Sequence, residues 1–302
     1  MNKANESSMP SVSFLRREET RRFFRVFLRR GLVTLGVIAM LLFLLTAAFG
    51  PLFAPYDPYA QDLYNVLSKP GSAHLLGTDS LGTDSLGRDT LSRLIYGARI
   101  TLAVGVVAVM IGATIGSILG LIAGFFGGWI NTIIMRLTDA LMAVPPLLLA
   151  LVLAALLGTG IRNVMLAVGF SLMPVFSRLV CGQTISVREN EYVLAARAAG
   201  ARSLRVLARH IFPNCLASLI VQITLTMGGA ILMEASLSFI GLGIAPPAAA
   251  WGSMVYDGYR YLTTYPVLSF APGLAVMIVV LAFNMVGDGL RDSLDPRLRG
   301  VI

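Results

Sequence analysis

The chain has 302 residues, of which 56% are hydrophobic and 13% charged, with a net charge of +8. Its mean hydropathy of +0.77 lies far from the balance of a soluble domain. The composition excludes a water-soluble globular enzyme as the bulk of the molecule and leaves a polytopic helical membrane protein of one domain.

Residues 1–30 carry eight of the Lys and Arg residues and read as a cytosolic juxtamembrane anchor near anionic lipid. A bilayer core about 30 Å thick takes roughly 20 apolar residues as a helix. Gly31–Phe53 is the first such run. It exceeds the ~7–15 apolar residues of a cleavable signal, so an uncleaved signal anchor is expected. Residues 54–99 form a periplasmic loop that opens on the turn residues Pro55, Asp57 and Pro58. The loop closes on a mixed apolar and basic stretch, Leu91 to Arg99, expected as a short interfacial helix. Within it Gly77-Thr-Asp-Ser-Leu81 is repeated at once as Gly82-Thr-Asp-Ser-Leu86, followed by Gly87-Arg88-Asp89. Gly82 and Gly87 stand at phosphate-loop spacing, but that loop needs Lys and then Ser or Thr after the second glycine. A five-residue duplication in an exposed loop is the simpler reading, and the chain is not expected to bind ATP itself.

Residues 100–287 hold five more candidate spans: Ile100–Gly124, Thr138–Leu157, Val164–Val180, Leu216–Leu242 and Val267–Val286. Gly112, Gly116, Gly120 and Gly124 give the second span a smooth ridge, expected to pack within the protomer rather than against another subunit. Pro145-Pro146 and Pro174 are expected to break helices, either beside a transport path or as plain kinks, and Pro272 interrupts the sixth span. Lys and Arg set the orientation: 18 of 24 fall on the segments that are inside if the N-terminus is inside. Both termini, including the tail 288–302, and the loop Glu191–Asn214 are therefore expected in the cytosol. This asymmetry accounts for the net charge, so membrane lipid and not nucleic acid is the expected charged partner. Cys181 and Cys215 flank the inner loop in a reducing compartment, where no disulfide is expected. His74 and His210 lie on opposite sides of the membrane, and no Cys/His spacing matches a metal site.

Ionisable residues within spans cost roughly 2.5–3.5 kcal/mol each on insertion scales and point to function. Arg136 and Asp139 are expected to pair along one helix face. Glu234, with Ser238 a turn later, either lines an aqueous path where it meets a cationic group such as a substrate ammonium, or is a hydrogen-bonded carboxyl inside the bundle. The cytosolic segment 181–215 reads as two short helices joined at Gly200. Ala195, Ala196, Ala198 and Ala199 are small enough for close approach by another protein. Leu204, Leu207 and Ile211 form an apolar stripe, and Pro213 sets the boundary to the fifth span.

That loop resembles the EAA motif of binding-protein-dependent ABC importer permeases, E-A-A-x-x-x-G followed by I-x-L-P. Ala195, Ala196, Gly200 and Pro213 match, whereas Leu194, His210 and Phe212 depart from the motif's Glu, Ile and Leu. Glu191 is the acidic residue one turn earlier. From about Leu75 to Arg299 the chain resembles the C-type permease of dipeptide and oligopeptide importers. The resemblance is carried by Gly82-Thr-Asp-Ser-Leu-Gly-Arg-Asp89, Ser236-Leu-Ser-Phe-Ile-Gly-Leu-Gly243, Pro246-Pro247, Trp251-Gly252, Phe283-Asn-Met-Val-Gly-Asp-Gly-Leu-Arg-Asp292 and Leu294-Asp-Pro296. The duplicated Gly-Thr-Asp-Ser-Leu departs from the family's single copy.

The resemblance implies an all-α type I ABC importer permease of about six transmembrane helices in a bacterial inner membrane. It implies a transport subunit and not an enzyme, paired with a homologous B-type permease, two cytosolic ATPases and a periplasmic peptide-binding protein. ATP and magnesium would sit on the ATPases, with no cofactor on this chain. Glu191, Ala195, Ala196, Gly200, Arg205 and Pro213 would couple to the ATPases; Glu234 and Ser238 are the candidates for the path. Gly241 to Tyr265, with Trp251, Tyr256 and Tyr259, would meet the binding protein. The implied cargo is a dipeptide or short oligopeptide, with glutathione or a nickel complex as alternatives. A stand-alone secondary transporter would show inverted repeats, and no repeat of span size is found.

Overall fold

A computed structural model describes Phe27 and residues 31–67 and 82–294. The helices are α1 (Gly31–Phe53), α2 (Thr90–Phe126), α3 (Gly128–Met142), α4 (Pro146–Leu157), α5 (Ile161–Arg188), α6 (Glu191–Ala198) and α7 (Ser203–Val206). A π-turn over Leu207–Ile211 then leads into α8 (Phe212–Phe239), α9 (Trp251–Tyr259) and α10 (Val267–Leu294). Among the described residues the β structure is one isolated antiparallel bridge, Thr83 to Asp89. Five helices are long and apolar enough to span a bilayer, and α3 with α4 makes a sixth if the pair, bent by 90°, is one span. The first copy of the duplication, Gly77–Leu81, and nearly all of the basic segment 1–30 lie outside the described residues.

The expected interfacial helix is instead the first turns of α2. Asp89 caps it, its carboxylate accepting from the Ser92 N–H at 2.8 Å, and no breaker intervenes before Gly127 at φ +66°. At 1.5 Å per residue α2 is about 56 Å long, well over the bilayer core. Its glycine ridge packs inside the protomer. A Cβ on Gly116 would lie 2.5 Å from the Met173 carbonyl oxygen, and one on Gly120 equally close to that of Ser177. A Cβ on Gly169 of α5 would meet the Ala108 carbonyl oxygen at 2.9 Å. The α2 and α5 backbones are thus in contact along the ridge.

The third span is broken at Pro145-Pro146, as expected. Thr138–Leu157 is not one helix but the end of α3, a break at residues 143–145, and α4. Pro146 removes an N–H and pushes the residue before it out of the helical region, so α3 stops and α4 starts afresh with proline in its first turn. Twelve residues make α4 about 18 Å long, too short to cross alone. Pro174 and Pro272, by contrast, lie inside continuous α5 and α10, where both are buried against neighbouring helices. The break expected at Pro174 is absent because protein, not lipid, covers the freed backbone groups.

Pro213 does not separate a short helix from a span either. Ser203–Phe239 runs as one helical rod, and the π-turn just before Pro213 absorbs the conflict. The Phe212 N–H reaches back five residues to the Leu207 carbonyl, and the Asn214 amide donates to the His210 carbonyl at 2.6 Å. Widening the helix there relieves the clash between a proline ring and the carbonyl four residues earlier. The main core runs through the bundle, with Phe43, Val104, Phe176, Ile231, Leu237, Trp251 and Phe283 among its members. Leu35, Leu42 and Leu45 of α1 stay exposed on the outer face, as lipid-facing residues do.

Candidate functional site: the two-helix elbow

The expected two-helix loop is present as α6 and α7. Asn190, in extended conformation, precedes α6. The helix ends in a Schellman arrangement, with the Ala201 N–H on the Ala196 carbonyl at 3.1 Å and the Gly200 N–H on that of Arg197 at 2.9 Å. Gly200 takes φ +82° with nothing within 4 Å of where a Cβ would stand. Its role is the left-handed backbone that turns the chain, not a close approach.

The elbow has a rooted side and a free side. Val193, Val206 and Ile211 are fully buried in a second cluster with Phe125, Val187 and Cys215. The predicted apolar stripe splits: Ile211 is in that cluster, Leu207 is half-buried at its edge, and Leu204 is 77% exposed. Glu191, Ala195, Gly200, Arg205 and Pro213 are all exposed, and Ala196 is intermediate. Leu194, where the motif has Glu, is 48% exposed. The two arms touch through the Tyr192 and His210 rings, 6.3 Å between centroids. Five of the six residues predicted for coupling thus lie on exposed surface between residues 191 and 213.

Two contacts here are not legible from motif or periodicity. The Arg188 Nη1 donates to the Gly124 carbonyl at 2.7 Å while its Nε pairs with Glu189 at 2.9 Å. The Arg197 guanidinium lies over the Phe125 ring, 4.5 Å from its centroid. Both fall on the last turn of α2.

Within the spans, Glu234 and Ser238 are adjacent and enclosed. Glu234 is fully buried, and the Ser238 hydroxyl donates to its Oε1 at 2.8 Å while accepting the Ile244 N–H at 3.2 Å. Glu234 Oε2 has no partner among the described residues. Glu234 and Ser238 are thus a buried, hydrogen-bonded pair in this conformation. Asp139 pairs with Arg178 of α5 and not with Arg136, because the α3 axis lies against α5 and brings the two side chains together.

At the end of the bundle away from the elbow, Trp251 is a core residue rather than a surface one. It is buried, its indole N–H donates to the Leu94 carbonyl at 2.9 Å, and its ring lies 5.7 Å from that of Phe43. Tyr256 and Tyr259 are exposed, both edge-on to Phe239. The segment Gly82–Asp89 forms a charged clamp. Asp84 takes the Arg88 Nε at 2.7 Å and faces the Arg93 Nε at 3.6 Å. Arg88 also faces Asp257 of α9 at 3.9 Å. Burial pushes the Asp257 carboxyl above its ordinary value, with Arg88 and Arg93 opposing.

Comparison with known proteins places these features. The family model for the binding-protein-dependent transport system inner membrane component matches residues 116–300. That for the N-terminal TM domain of oligopeptide transport permease C matches residues 19–70. The glutathione transport system permease protein GsiD of Escherichia coli O157:H7 is 41% identical over 279 residues, covering 92% of this chain and 90% of that protein. Its counterpart from Shigella flexneri serotype 5b (strain 8401) is 42% identical over the same extent. Among solved structures, an inward-facing MetNI methionine ABC transporter chain superposes with a TM-score of 0.54 at 19% identity, covering 67% of this chain and 97% of that one. This chain therefore belongs to the binding-protein-dependent transport system inner membrane component family, as a C-type permease subunit of an ABC importer.

Proposed function

We propose that this permease forms half of the path of a bacterial inner-membrane importer for short peptides, glutathione among them. A homologous B-type permease is the other half, two cytosolic ATPases drive it, and a periplasmic peptide-binding protein delivers the cargo. ATP and magnesium are held by the ATPases and not by this chain. Glutathione is itself a tripeptide, so the relatives named for glutathione transport and the oligopeptide family match favour one cargo class. Both termini and the elbow are cytosolic in this reading, supported by the 18 of 24 Lys and Arg residues on that side.

One observation carries the mechanics: an elbow rooted by buried Val193, Val206 and Ile211 yet presenting small exposed residues at Ala195 and Gly200. Ala195 and Ala196 let an ATPase surface approach the α6 backbone, Gly200 holds the bend, and Glu191 and Arg205 supply charge on either arm. Leu194 makes the contact at the motif's Glu position apolar. Pro213 and its π-turn join the elbow rigidly to α8. Closure of the ATPases on ATP then moves the elbow as a lever and rocks the bundle between inward and outward access. Glu234 and Ser238 hold the outer end of α8 to the turn at Ile244 in the conformation described. Their place beside the path is a proposal for the other conformation.

Uptake of labelled glutathione and of di- and tripeptides, in cells with and without the gene, tests this. We expect loss of uptake on deletion, restoration by the intact gene, and ATPases copurifying with the tagged permease. Unchanged uptake of all these peptides would remove the cargo assignment; a permease that purifies free of any ATPase would remove the coupling role.

A further inference from the structure

The elbow hangs from α5 by only Glu189 and Asn190. A connection that short lets α6 pivot unless something else holds it. Two contacts of α6 do so, through Arg197 and Val193, and both fall on the cytosolic end of α2, which α5 and α3 hold in turn. Arg188 caps it, placing a cation on the Gly124 carbonyl at 2.7 Å, where the helix dipole and the unpaired terminal carbonyls favour positive charge. The Asn131 amide takes the neighbouring Ala123 carbonyl at 3.2 Å. Arg197, in the last turn of α6, lies over the Phe125 ring at 4.5 Å from its centroid, while Val193 of the same helix is buried in the Phe125 cluster.

What seizes the end of α2 also seizes α5, because along the glycine ridge the two backbones are in contact and cannot slide without a rise in steric energy. We propose that Arg197 is a positioning residue that, seated on Phe125, passes the movement of the elbow to the cytosolic end of α2 and so to the α2–α5 pair. This second route runs beside the direct one through the Ser203–Phe239 rod, and it rests on the coupling role proposed above. The chemistry is a cation–π contact, which tolerates Lys for Arg and Trp for Phe but not loss of either the charge or the ring. Arg197 is exposed, so its alternative use is direct contact with an ATPase.

The test uses the assembled importer in vesicles, with uptake and ATP hydrolysis measured together. Exposed cation–π contacts have energies that correspond to about two- to fivefold in an equilibrium. We expect transport per ATP to fall by about that factor for Arg197→Met and for Phe125→Leu. The double variant should be no worse than either single one, and Arg197→Lys and Phe125→Trp should each retain most of the wild-type ratio. The proposal is overturned if Phe125→Leu assembles and keeps the wild-type ratio while Arg197→Met lowers it, for Arg197 then acts on the ATPase. Losses that multiply in the double variant overturn it as well. Should Phe125→Leu fail to assemble, Phe125→Trp alone decides: a ratio as low as that of Arg197→Met is contrary to the proposal. Assembly is scored separately, so a permease that never binds ATPases removes the coupling role itself, whereas an assembled complex with unchanged ratios removes only the Arg197 route.

Discussion

Asp257 shows how a single side chain at the outer end carries opposing influences. It faces Arg88 at 3.9 Å, which favours the charged form, yet burial is the larger influence and raises its carboxyl above 3.8. The sign follows from linkage. An acid whose folded value is raised lends stability that is fully present below its unfolded value and is lost as pH rises through the folded one. Asp257→Asn cannot ionise, so it should gain on the wild type as pH rises from the ordinary aspartate value, about 4, through the raised folded one. Melting temperatures of the two purified proteins across that range check this; a gap that stays constant, or that widens in favour of the wild type, contradicts it. Asp84, one contact away, differs. It accepts the Leu86 and Arg88 backbone N–H groups at 2.9 Å each as well as the Arg88 side chain. It therefore organises the turn, and the Gly-Thr-Asp-Ser-Leu-Gly-Arg-Asp motif is a folding element here.

At the scale of elements, two glycines on one helix pair behave oppositely. A Cβ at Gly120 would stand 2.5 Å from the Ser177 carbonyl oxygen, while one at Gly182 would meet nothing within 4 Å. Gly120→Ala should therefore cost about 1–3 kcal/mol through overpacking. Gly182→Ala should gain up to about 1 kcal/mol from helix propensity. Thermal unfolding in detergent separates them, and equal effects at the two sites would mean that α2 and α5 do not touch backbone to backbone. The spacing of Gly112, Gly116, Gly120 and Gly124 made that ridge readable in advance, since residues four apart share a helix face. The prolines were readable only in part. Pro145-Pro146 breaks the helix and turns the chain by 90°, as expected, whereas Pro174 lies buried inside continuous α5, and the protein cover over that single proline is what no local pattern encodes. For the same reason Asp139 pairs across to Arg178 rather than along its own helix to Arg136. Trp251 sits in the core although its neighbours Tyr256 and Tyr259 are exposed. At the elbow, small residues and the turn glycine were legible from residue type. The Arg188 and Arg197 contacts were not, because both depend on where the end of α2 lies in space.

For the whole molecule, the decisive arrangement in the proposed mechanism is a bundle worked from one corner. The elbow is continuous with α8 and touches the last turn of α2, so in the proposed mechanism its displacement would reach both helices at once. The exposed apolar faces of α1, α3 and α4 leave room for lipid and for the second permease. Under the proposed coupling role, Leu194 in place of the EAA motif's Glu would make the ATPase contact apolar there without altering the lever. The most direct test is a thiol crosslink from Ala195→Cys in the assembled importer, where the native Cys181 and Cys215 are buried and do not compete. The account predicts a crosslink to an ATP-hydrolysing subunit, with the thiol closed to impermeant reagents added from the periplasm. A thiol that reacts from the periplasm, or one that is accessible from the cytosol yet never crosslinks to an ATPase, would contradict it.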